Sequence, residues 1–371
     1  MTKRTILLLI IWGVIFGGLT YASVENISNS AAGSEDAHVA INSSGEIGAI
    51  WLEKFSNGGQ HVYFSIYRNG QWSTPAGIPG QSGSNADPCI AKGVNGGFVA
   101  AWYDLAFYCV RFSEYTGSWS TPITVSQVGG YDMGSPSITT TTNGRIAVGW
   151  QRGNSTFPDA YVAIGRGGSW SGPVNISNTA FGSKYIDLAP GPNGEIYAVW
   201  QDNLYLASAN VDYFYTMMSS DHGNGSWTTP QIIDNLNGWT FRPVVAVNSS
   251  NDILSCFYYM QGSSYWAANY LNGSWQSPQL LSDTGDHYDH NLYFSEACPY
   301  GNDGFLYIYR NCNRNIVYLI IRNGSVGNRV VLTSSNQTYH PSIDYSSSIG
   351  AVAAWTDFSV SSDVFVAIFD P

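Results

Sequence analysis

The sequence contains few charged residues and no surplus of basic ones. Charged side chains make up 11% of the 371 residues, and 15 Lys and Arg stand against 26 Asp and Glu, a formal net charge of −11. Soluble domains usually carry about 25% charged residues, so the hydration of this surface must depend on Ser, Thr, Asn, Gly and Tyr. Because no basic patch can form to neutralise phosphates, we expect no nucleic-acid partner.

Long apolar segments are missing except at the start of the chain. Lys3 and Arg4 are followed by an apolar run over residues 6–19 and by small residues ending at Ala22, the pattern of a secretory signal peptide. The run is short for a membrane span. We therefore predict a signal peptide over residues 1–22, no membrane span in the mature chain, and a secreted or periplasmic protein.

Cysteines are also few, and their spacing fits no metal-binding motif. The odd number leaves at least one unpaired within the chain: Cys89, Cys109, Cys256, Cys298 and Cys312. Burial as small apolar side chains is the simplest role for such residues. We expect neither a metal nor another cofactor.

One strand-forming unit occurs in repeated copies along the chain. An apolar strand ending in an aromatic residue recurs at intervals of 46 to 57 residues: Trp51, Trp102, Trp150, Trp200, Phe257, Tyr309 and Trp355. A Trp-Ser-x-Pro element, or a close variant, recurs between these strands: Trp72, Trp119, Trp170, Trp227 and Trp275. Helical periodicity is absent after the signal. Repeats of this length that contain only strands are typical of β-propellers.

Each repeat holds four strands joined by tight turns. Asn-Gly pairs are the strongest short hairpin signal, and they recur between strands one and two and between strands three and four: Asn95-Gly96, Asn143-Gly144, Asn193-Gly194, Asn272-Gly273 and Asn323-Gly324. The repeats begin near seven residues: Asp36, Asp87, Ser135, Tyr185, Phe241, His290 and His340. The pattern predicts an all-β, seven-bladed β-propeller of four-stranded blades, forming a single domain over residues 23–371.

The last repeat stops at Pro371 after its third strand. The segment Val24–Asn29 closely matches Val174–Asn178, which forms the fourth strand of the third repeat. A ring left open would expose an unpaired strand edge. We therefore predict that the N-terminal strand completes the last blade and closes the ring.

One turn carries a recognisable motif. Ser219-Ser220-Asp221-His222-Gly223, followed by Trp227, resembles the Asp-box repeats (bacterial neuraminidase repeats) of the sialidase-type propeller superfamily, and the likeness of the repeats extends over the whole mature chain. The resemblance implies a propeller fold and says little about activity. Sialidases carry an Arg-Ile-Pro motif in the first of six blades, whereas this chain has Arg242-Pro243 in the fifth of seven repeats. We therefore do not expect true sialidase activity.

Two tryptophans fall outside the repeat positions of the mature chain. Trp239 and Trp266 both lie in the fifth repeat, near the end of the blade that collects the long loops. Loops on a rigid scaffold are where binding sites concentrate, and a Trp ring offers a flat apolar surface to the C–H face of a sugar. The alternative is that both rings fill a local gap in the packing.

A polar loop and two arginines point to the same sector. Residues 283–291 read DTGDHYDHN, Arg310 ends the second strand of the sixth repeat, and Arg242 precedes the first strand of the fifth. Strand starts and second-strand ends meet around the channel, so His290, Arg310 and Arg242 are expected to share a pocket. The spacing is similar to an arrangement in propeller-type polysaccharide lyases, in which a second His takes the place of Arg310.

We predict His290, Arg310 and Tyr288 as catalytic residues. The candidate substrate-binding residues are Trp239, Arg242, Trp266, His287, Asp289, Asp202 and His340. A uronic-acid lyase needs donors at the carboxylate and a base for the adjacent C–H. A glycosidase needs two facing carboxylates, and six acids lie near the same strand ends: Asp36, Glu53, Asp87, Asp104, Asp202 and Asp357. Taken singly, each fits a turn cap or a solvated side chain better than a functional role.

These residues lead to a functional hypothesis with two branches. The first is a secreted, monomeric propeller that binds or processes carbohydrate, with an acidic polysaccharide or glycan as partner. If it is an enzyme, a polysaccharide lyase or a glycoside hydrolase fits best. The second is a non-catalytic extracellular module that binds glycans or another protein.

Overall fold

The structure of the protein is a computed structural model. It describes these residues: 21–127, 132, 134–153, 157–179, 182–206, 211–236, 238–283, 294–333, 335–359 and 362–370. Seven antiparallel sheets are arranged around a central axis, each with its first strand innermost. The inner strands contact one another in chain order, and the inner strand of the last sheet contacts that of the first. The prediction of a seven-bladed propeller is confirmed.

The blades are numbered 1 to 7 in chain order, and their strands run from inner to outer. The inner strands are Ser34–Ile41, Asn85–Lys92, Ser137–Thr140, Ser183–Pro190, Thr240–Val247, Ser295–Tyr300 and Thr338–Ser346. The second strands are Ile47–Lys54, Phe98–Asp104, Ile146–Gly153, Ile196–Leu206, Ile253–Tyr259, Gly304–Arg310 and Gly350–Asp357. The third strands are Gln60–Arg68, Cys109–Tyr115, Pro158–Arg166, Val211–Asp221, Ser264–Leu271, Ile316–Arg322 and Asp363–Phe369.

The outer strands are short, and in four blades they consist of two pieces. In blades 1 to 6 they are Gln71–Trp72 with Ala76–Gly77, Ile123–Thr124, Ser169–Trp170 with Val174–Asn175, Gln231–Ile232, Ser274–Trp275 with Gln279–Leu280, and Ser325–Val326 with Val330–Val331. The outer strand of blade 7 is Tyr21–Asn26. A 3₁₀ turn over Met260–Gly262 is the one helical element of the described residues, and none of them form a helix long and apolar enough to cross a membrane.

The hydrophobic core is a ring of seven clusters, each formed between two neighbouring blades. The recurring aromatic residue of every second strand is buried in this ring, as its role in blade packing requires. Burial obliges an indole N–H to find a partner. Trp51 donates to Glu53 Oε2 at 3.1 Å, and Trp200 donates to Asp202 Oδ2 at 3.1 Å.

The two kinds of Asn-Gly turn differ in backbone conformation. Between the third and outer strands both residues have positive φ, with 53° at Asn69 and 81° at Gly70. Between the inner and second strands only the glycine does, as at Gly96 with φ 81°. The first form is the two-residue turn whose twist matches that of the strands it joins.

The N-terminal segment closes the ring as predicted. Its strand pairs antiparallel with the third strand of blade 7, with Val24 opposite Ala367. Asn26 Nδ2 donates to Asp363 Oδ2 at 3.0 Å, and Ser28 Oγ donates to Asp363 Oδ1 at 3.2 Å. The strand begins at Tyr21, two residues before the predicted start of the mature chain at Ser23.

Candidate functional site

A β-bulge recurs in the inner strands opposite the buried aromatic of the second strand. In blade 1, Glu35 pairs with Leu52 and His38 pairs with Ile50, so that two inner-strand residues face the single Trp51. The same shift faces Trp102, Trp200, Phe257 and Trp355 in blades 2, 4, 5 and 7. A bulge of this kind turns a side chain away from the regular alternation of the strand.

The bulge position has a left-handed backbone and projects toward the axis. Six non-glycine residues take φ values of 47° to 59° there: Asp36, Asp87, Ser135, Tyr185, Arg242 and His340. In blade 6 the inner strand pairs without a bulge, Ser295 opposite Tyr309, and Phe294 just before it lines the same cavity. We call these seven residues the channel ring. All of them line one cavity of about 290 Å³ in the channel.

Asp36 and His340 form a close pair within the channel ring. His340 Nδ1 lies 2.7 Å from Asp36 Oδ1, and His38 Nε2 lies 3.9 Å from the same oxygen. Burial alone would raise the pKa of Asp36, but the hydrogen bond and charge of His340, with His38 and Arg242, hold that pKa below its usual value. Burial lowers the pKa of His38, and Asp36 partly opposes this change.

Asp87 is the second carboxyl of the cavity and differs from Asp36 in its surroundings. Its Oδ2 accepts the backbone N–H of Ser135 at 2.7 Å. Burial, followed by the charge of Asp36, raises the pKa of Asp87, while Ser135, Arg242 and His340 act in the opposite direction. Two carboxyl groups on neighbouring blades therefore have pKa values displaced in opposite directions, a pattern found where one group gives a proton and another remains ionised.

Aromatic rings hold the Arg242 guanidinium. Its central carbon lies 4.3 Å from the ring centroid of Tyr185 and 4.3 Å from that of Phe294, within the range of cation–π contact. No carboxylate of the described residues lies within ion-pair distance of it. The His340 ring packs against the same Phe294 ring, with 3.6 Å between the centroids and an interplanar angle of 32°. The cation and the imidazole are thus both held by Phe294 at the cavity.

Two further carboxyl groups line the same cavity, are half-buried, and connect neighbouring inner strands. Asp187 Oδ2 accepts the N–H of Val245 at 2.8 Å, and Glu296 Oε2 accepts the N–H of Ile343 at 2.9 Å. Burial raises the pKa of Asp187 to about 6 and that of Glu296 to about 8. These groups satisfy backbone donors across the blade interfaces and so stabilise the ring.

Among the residues predicted for the site, the structure places Arg242 and His340 at the cavity. Arg310 does not line it: the side chain is buried and lies 4.2 Å over the ring of Tyr339. The expectation that Arg310 and Arg242 share this pocket is therefore wrong. Asp202 is also buried, where it accepts hydrogen bonds from Trp200 and Ser183, and burial raises its pKa to about 6.

The two tryptophans singled out from the sequence lie away from the cavity. Trp239 packs edge-on against Phe214, with 6.0 Å between centroids, and its backbone N–H donates to Gln261. Trp266 donates its indole N–H to Ser264 Oγ at 2.9 Å. Both are half-buried.

Four predicted residues fall outside the described part of the chain: His287, Tyr288, Asp289 and His290. The sixth repeat was expected to begin near His290. The channel-ring position of blade 6 is Phe294 instead, and its inner strand begins at Ser295.

The sequence named Asp36 and Asp87 only among six acids near these strand ends, and it missed Tyr185 and Phe294 as members of the site. A signal for Tyr185 was present, because it marks a repeat start equivalent to Asp87 and His340. The inner-strand bulge was the missing element, since alternation alone does not show that these side chains turn toward the axis. No cluster of three or more His, Cys, Asp or Glu suited to a metal ion occurs among the residues described.

Comparisons with known proteins support the fold at low sequence identity. No protein-family model matches the chain, and no curated protein matches it in sequence. A Dyadobacter fermentans protein of unknown function is 14% identical with a TM-score of 0.60, covering 96% of this chain and 100% of that one. The BP39L lectin of Burkholderia pseudomallei is 14% identical with a TM-score of 0.68, covering 92% and 98%. A sialidase, described as Hadza microbial sialidase Hz136, is 12% identical with a TM-score of 0.52, covering 93% and 68%.

Proposed function

We propose that this protein is a carbohydrate-active propeller that binds an acidic sugar residue of a glycan in its central cavity. The observation that carries the proposal is the convergence of Arg242, the His340–Asp36 pair and Asp87 on one cavity. A lectin and a sialidase among the structural neighbours fit this class. The turn at Asp221, whose Oδ1 accepts three backbone N–H groups, fits the Asp-box resemblance and bears on the fold alone.

The cavity is suited to a carboxylate surrounded by hydroxyl groups. A guanidinium presents paired N–H donors that match a carboxylate, and the rings of Tyr185 and Phe294 keep that of Arg242 in place. The carboxyl groups of Asp36 and Asp87 can accept hydrogen bonds from sugar hydroxyls. A volume of about 290 Å³ is at the lower end of the range for ligand pockets. One sugar residue fits it, with the rest of the glycan leaving through the mouth.

The same groups support cleavage by β-elimination, as in a polysaccharide lyase. Arg242 balances the charge on the uronate carboxylate, which makes the neighbouring C5–H more acidic. His340, oriented by Asp36, takes that proton, and the C4–O4 bond breaks as the C4=C5 double bond forms. Asp87 gives its proton to the departing O4, so no water or other reactant is consumed.

A second candidate is binding without cleavage. The His340 ring is stacked on Phe294 and hydrogen-bonded to Asp36. An imidazole held in this way can donate a hydrogen bond to a ligand as well as act as a base. In this form the protein is an extracellular glycan-binding module, and the export predicted from residues 1–22 would bring it to such ligands.

The test measures binding and products with the full chain as exported. Polygalacturonate, alginate, hyaluronan and neutral dextran are offered to the wild type, Arg242→Ala and the control Arg166→Ala, whose side chain is exposed on the opposite face. We expect the wild type to bind at least one uronate polymer. Arg242→Ala should lower the affinity for it about tenfold or more, and Arg166→Ala should leave the affinity unchanged. Unsaturated ends that form with the wild type and disappear with His340→Ala support the lyase, and binding without products supports the second candidate. Equal affinity of Arg242→Ala and wild type would refute the cavity proposal.

A further inference from the structure

Exposed aromatic residues occur on the loops that follow the second strands of four consecutive blades. The exposed fractions are 38% for Phe358 in blade 7, 38% for Phe55 in blade 1, 49% for Phe107 and 59% for Tyr108 in blade 2, and 50% for Phe157 in blade 3. Each loop begins where a second strand ends, opposite the start of an inner strand. The loops therefore stand on the face at which the channel ring is located.

The loop of blade 2 is built to hold one of these rings in place. Asp104 is fully buried; its Oδ1 accepts the N–H of Ala106 at 3.1 Å, and its Oδ2 accepts Arg111 Nε at 3.1 Å. The Arg111 guanidinium lies 5.3 Å from the centroid of the Phe107 ring. A buried acid thus positions an arginine, and the arginine supports an exposed aromatic ring by cation–π contact.

The neighbouring Tyr108 is held in an unfavourable backbone conformation. Its φ is 50°, in the left-handed region that bulky residues rarely adopt. Such a conformation costs free energy. It persists where the surrounding structure enforces it, and it is common at ligand-binding sites. Here it presents the most exposed large apolar side chain of the described residues.

This loop starts close to the cavity. Gly134 packs between the two: a Cβ placed on it would be 2.6 Å from Asp87 Oδ2 in the channel ring and 3.3 Å from the ring of Tyr103. Tyr103 immediately precedes Asp104, the last residue of the second strand of blade 2. A chain of sugars that leaves the mouth of the cavity on the Asp87 side would therefore pass over Gly134 toward the blade 2 loop.

We infer that Phe107 and Tyr108, with Phe157 on the next blade, form a stacking surface for further sugar residues of the glycan whose acidic residue occupies the cavity. The inference rests on the proposed function and deepens it, since it makes the ligand a chain of several sugars. Aromatic faces pack against the C–H faces of pyranose rings. A protein partner would need about 800 Å² of buried surface on each side, which is more than the exposed faces of three aromatic side chains supply.

The experiment measures affinity against chain length for a series from disaccharide to octasaccharide, prepared from whichever uronate polymer the protein binds. The variants are Phe107→Ala and Tyr108→Asn, because asparagine tolerates a left-handed backbone. The control is Val174→Ala, an exposed apolar side chain on the outer strand of blade 3. We expect octasaccharides to bind the wild type more tightly than disaccharides. Each ring deletion should weaken octasaccharide binding about three- to tenfold and leave disaccharide binding unchanged.

The outcomes separate this inference from the proposal on which it rests. Disaccharide binding that depends on Arg242 but gains nothing with chain length would overturn the stacking surface and leave the cavity proposal intact. Phe107→Ala or Tyr108→Asn variants that bind octasaccharides like the wild type would do the same. Absence of binding to every polymer would overturn both. Sedimentation that shows these rings holding two copies of the chain together would also overturn the inference, in favour of a self-association surface.

Discussion

Replacement of Glu296 by Gln is expected to make the protein more stable at alkaline pH. Glu296 lies on the inner strand of blade 6 and accepts the N–H of Ile343 from blade 7. Burial raises its pKa to about 8, the charges of Asp187 and Asp344 act in the same direction, and the hydrogen bonds from Ser342 and Ile343 oppose them. Gln keeps an oxygen acceptor for the N–H and matches the neutral form of the side chain.

The sign and size of the effect follow from the two pKa values. The ordinary pKa of a glutamate is 4.5 and the pKa in the folded protein is about 8, so the folded protein holds this proton more tightly than the unfolded chain. The contribution to stability is complete below pH 4.5 and is lost as the pH rises to 8. A difference of about 3.5 between the two pKa values corresponds to about 5 kcal/mol. Because the carboxyl also reaches the water of the channel, which screens its charge, we expect about 2–3 kcal/mol.

Urea unfolding of the wild type and Glu296→Gln between pH 4.5 and pH 8.5 measures this contribution. The two proteins should be similar at the acid end, and the Glu296→Gln variant should be the more stable at the alkaline end. Glu114→Gln, a change at a half-exposed carboxyl on the third strand of blade 2, is the control and should follow the wild type throughout. Equal pH dependence of the wild type and Glu296→Gln would refute the assignment of a buried, proton-binding carboxyl.

Three further predictions concern closure, a buried ion pair and the cation of the site. Deletion of residues 23–30 should lower the melting temperature sharply, because it exposes the third strand of blade 7; an unchanged melting curve would contradict ring closure. Arg145→Met should cost about 3–5 kcal/mol in urea unfolding, because it leaves the carboxylate of Asp221 buried without its partner; a loss under about 1 kcal/mol would contradict this. Tyr185→Leu should weaken uronate binding about threefold or more, as measured by calorimetry, by removing one ring from the Arg242 guanidinium; unchanged affinity would show that this ring does not position the cation.

The architecture could be predicted because its determinants are local and repeated. One aromatic residue of each second strand is buried between neighbouring blades, and removing it would open a large cavity. The number of these residues along the sequence therefore equals the number of blades. The match between residues 24–29 and an internal outer strand likewise identified the closing strand, since both fulfil the same pairing.

The site was harder to predict because it depends on geometry that periodicity does not encode. A second-strand end such as Arg310 was expected at the channel, but the side chain there turns into the interface between blades and stacks on Tyr339. Asp202 was predicted to bind substrate. It lies two residues after Trp200, and its carboxyl group instead accepts the hydrogen bond of the buried Trp200 indole N–H. On the inner strands, the bulge found in five blades decides which residue faces the axis.

The residues of the channel ring differ in kind from those at most other left-handed backbone positions. Among the described residues the chain places glycine at 21 positions with positive φ, where glycine avoids the steric cost of that backbone. At the six left-handed positions of the ring it places Asp, Asp, Ser, Tyr, Arg and His. Non-glycine residues at these positions each carry a conformational penalty of about 1 kcal/mol or more. The bulge recurs in blades 1, 2, 4, 5 and 7, whereas the side chains presented at the axis differ in charge, size and hydrogen-bonding capacity. A repeated backbone with unlike side chains at its axis is what binding an asymmetric ligand requires, because a symmetric ring could not distinguish one end of a sugar from the other.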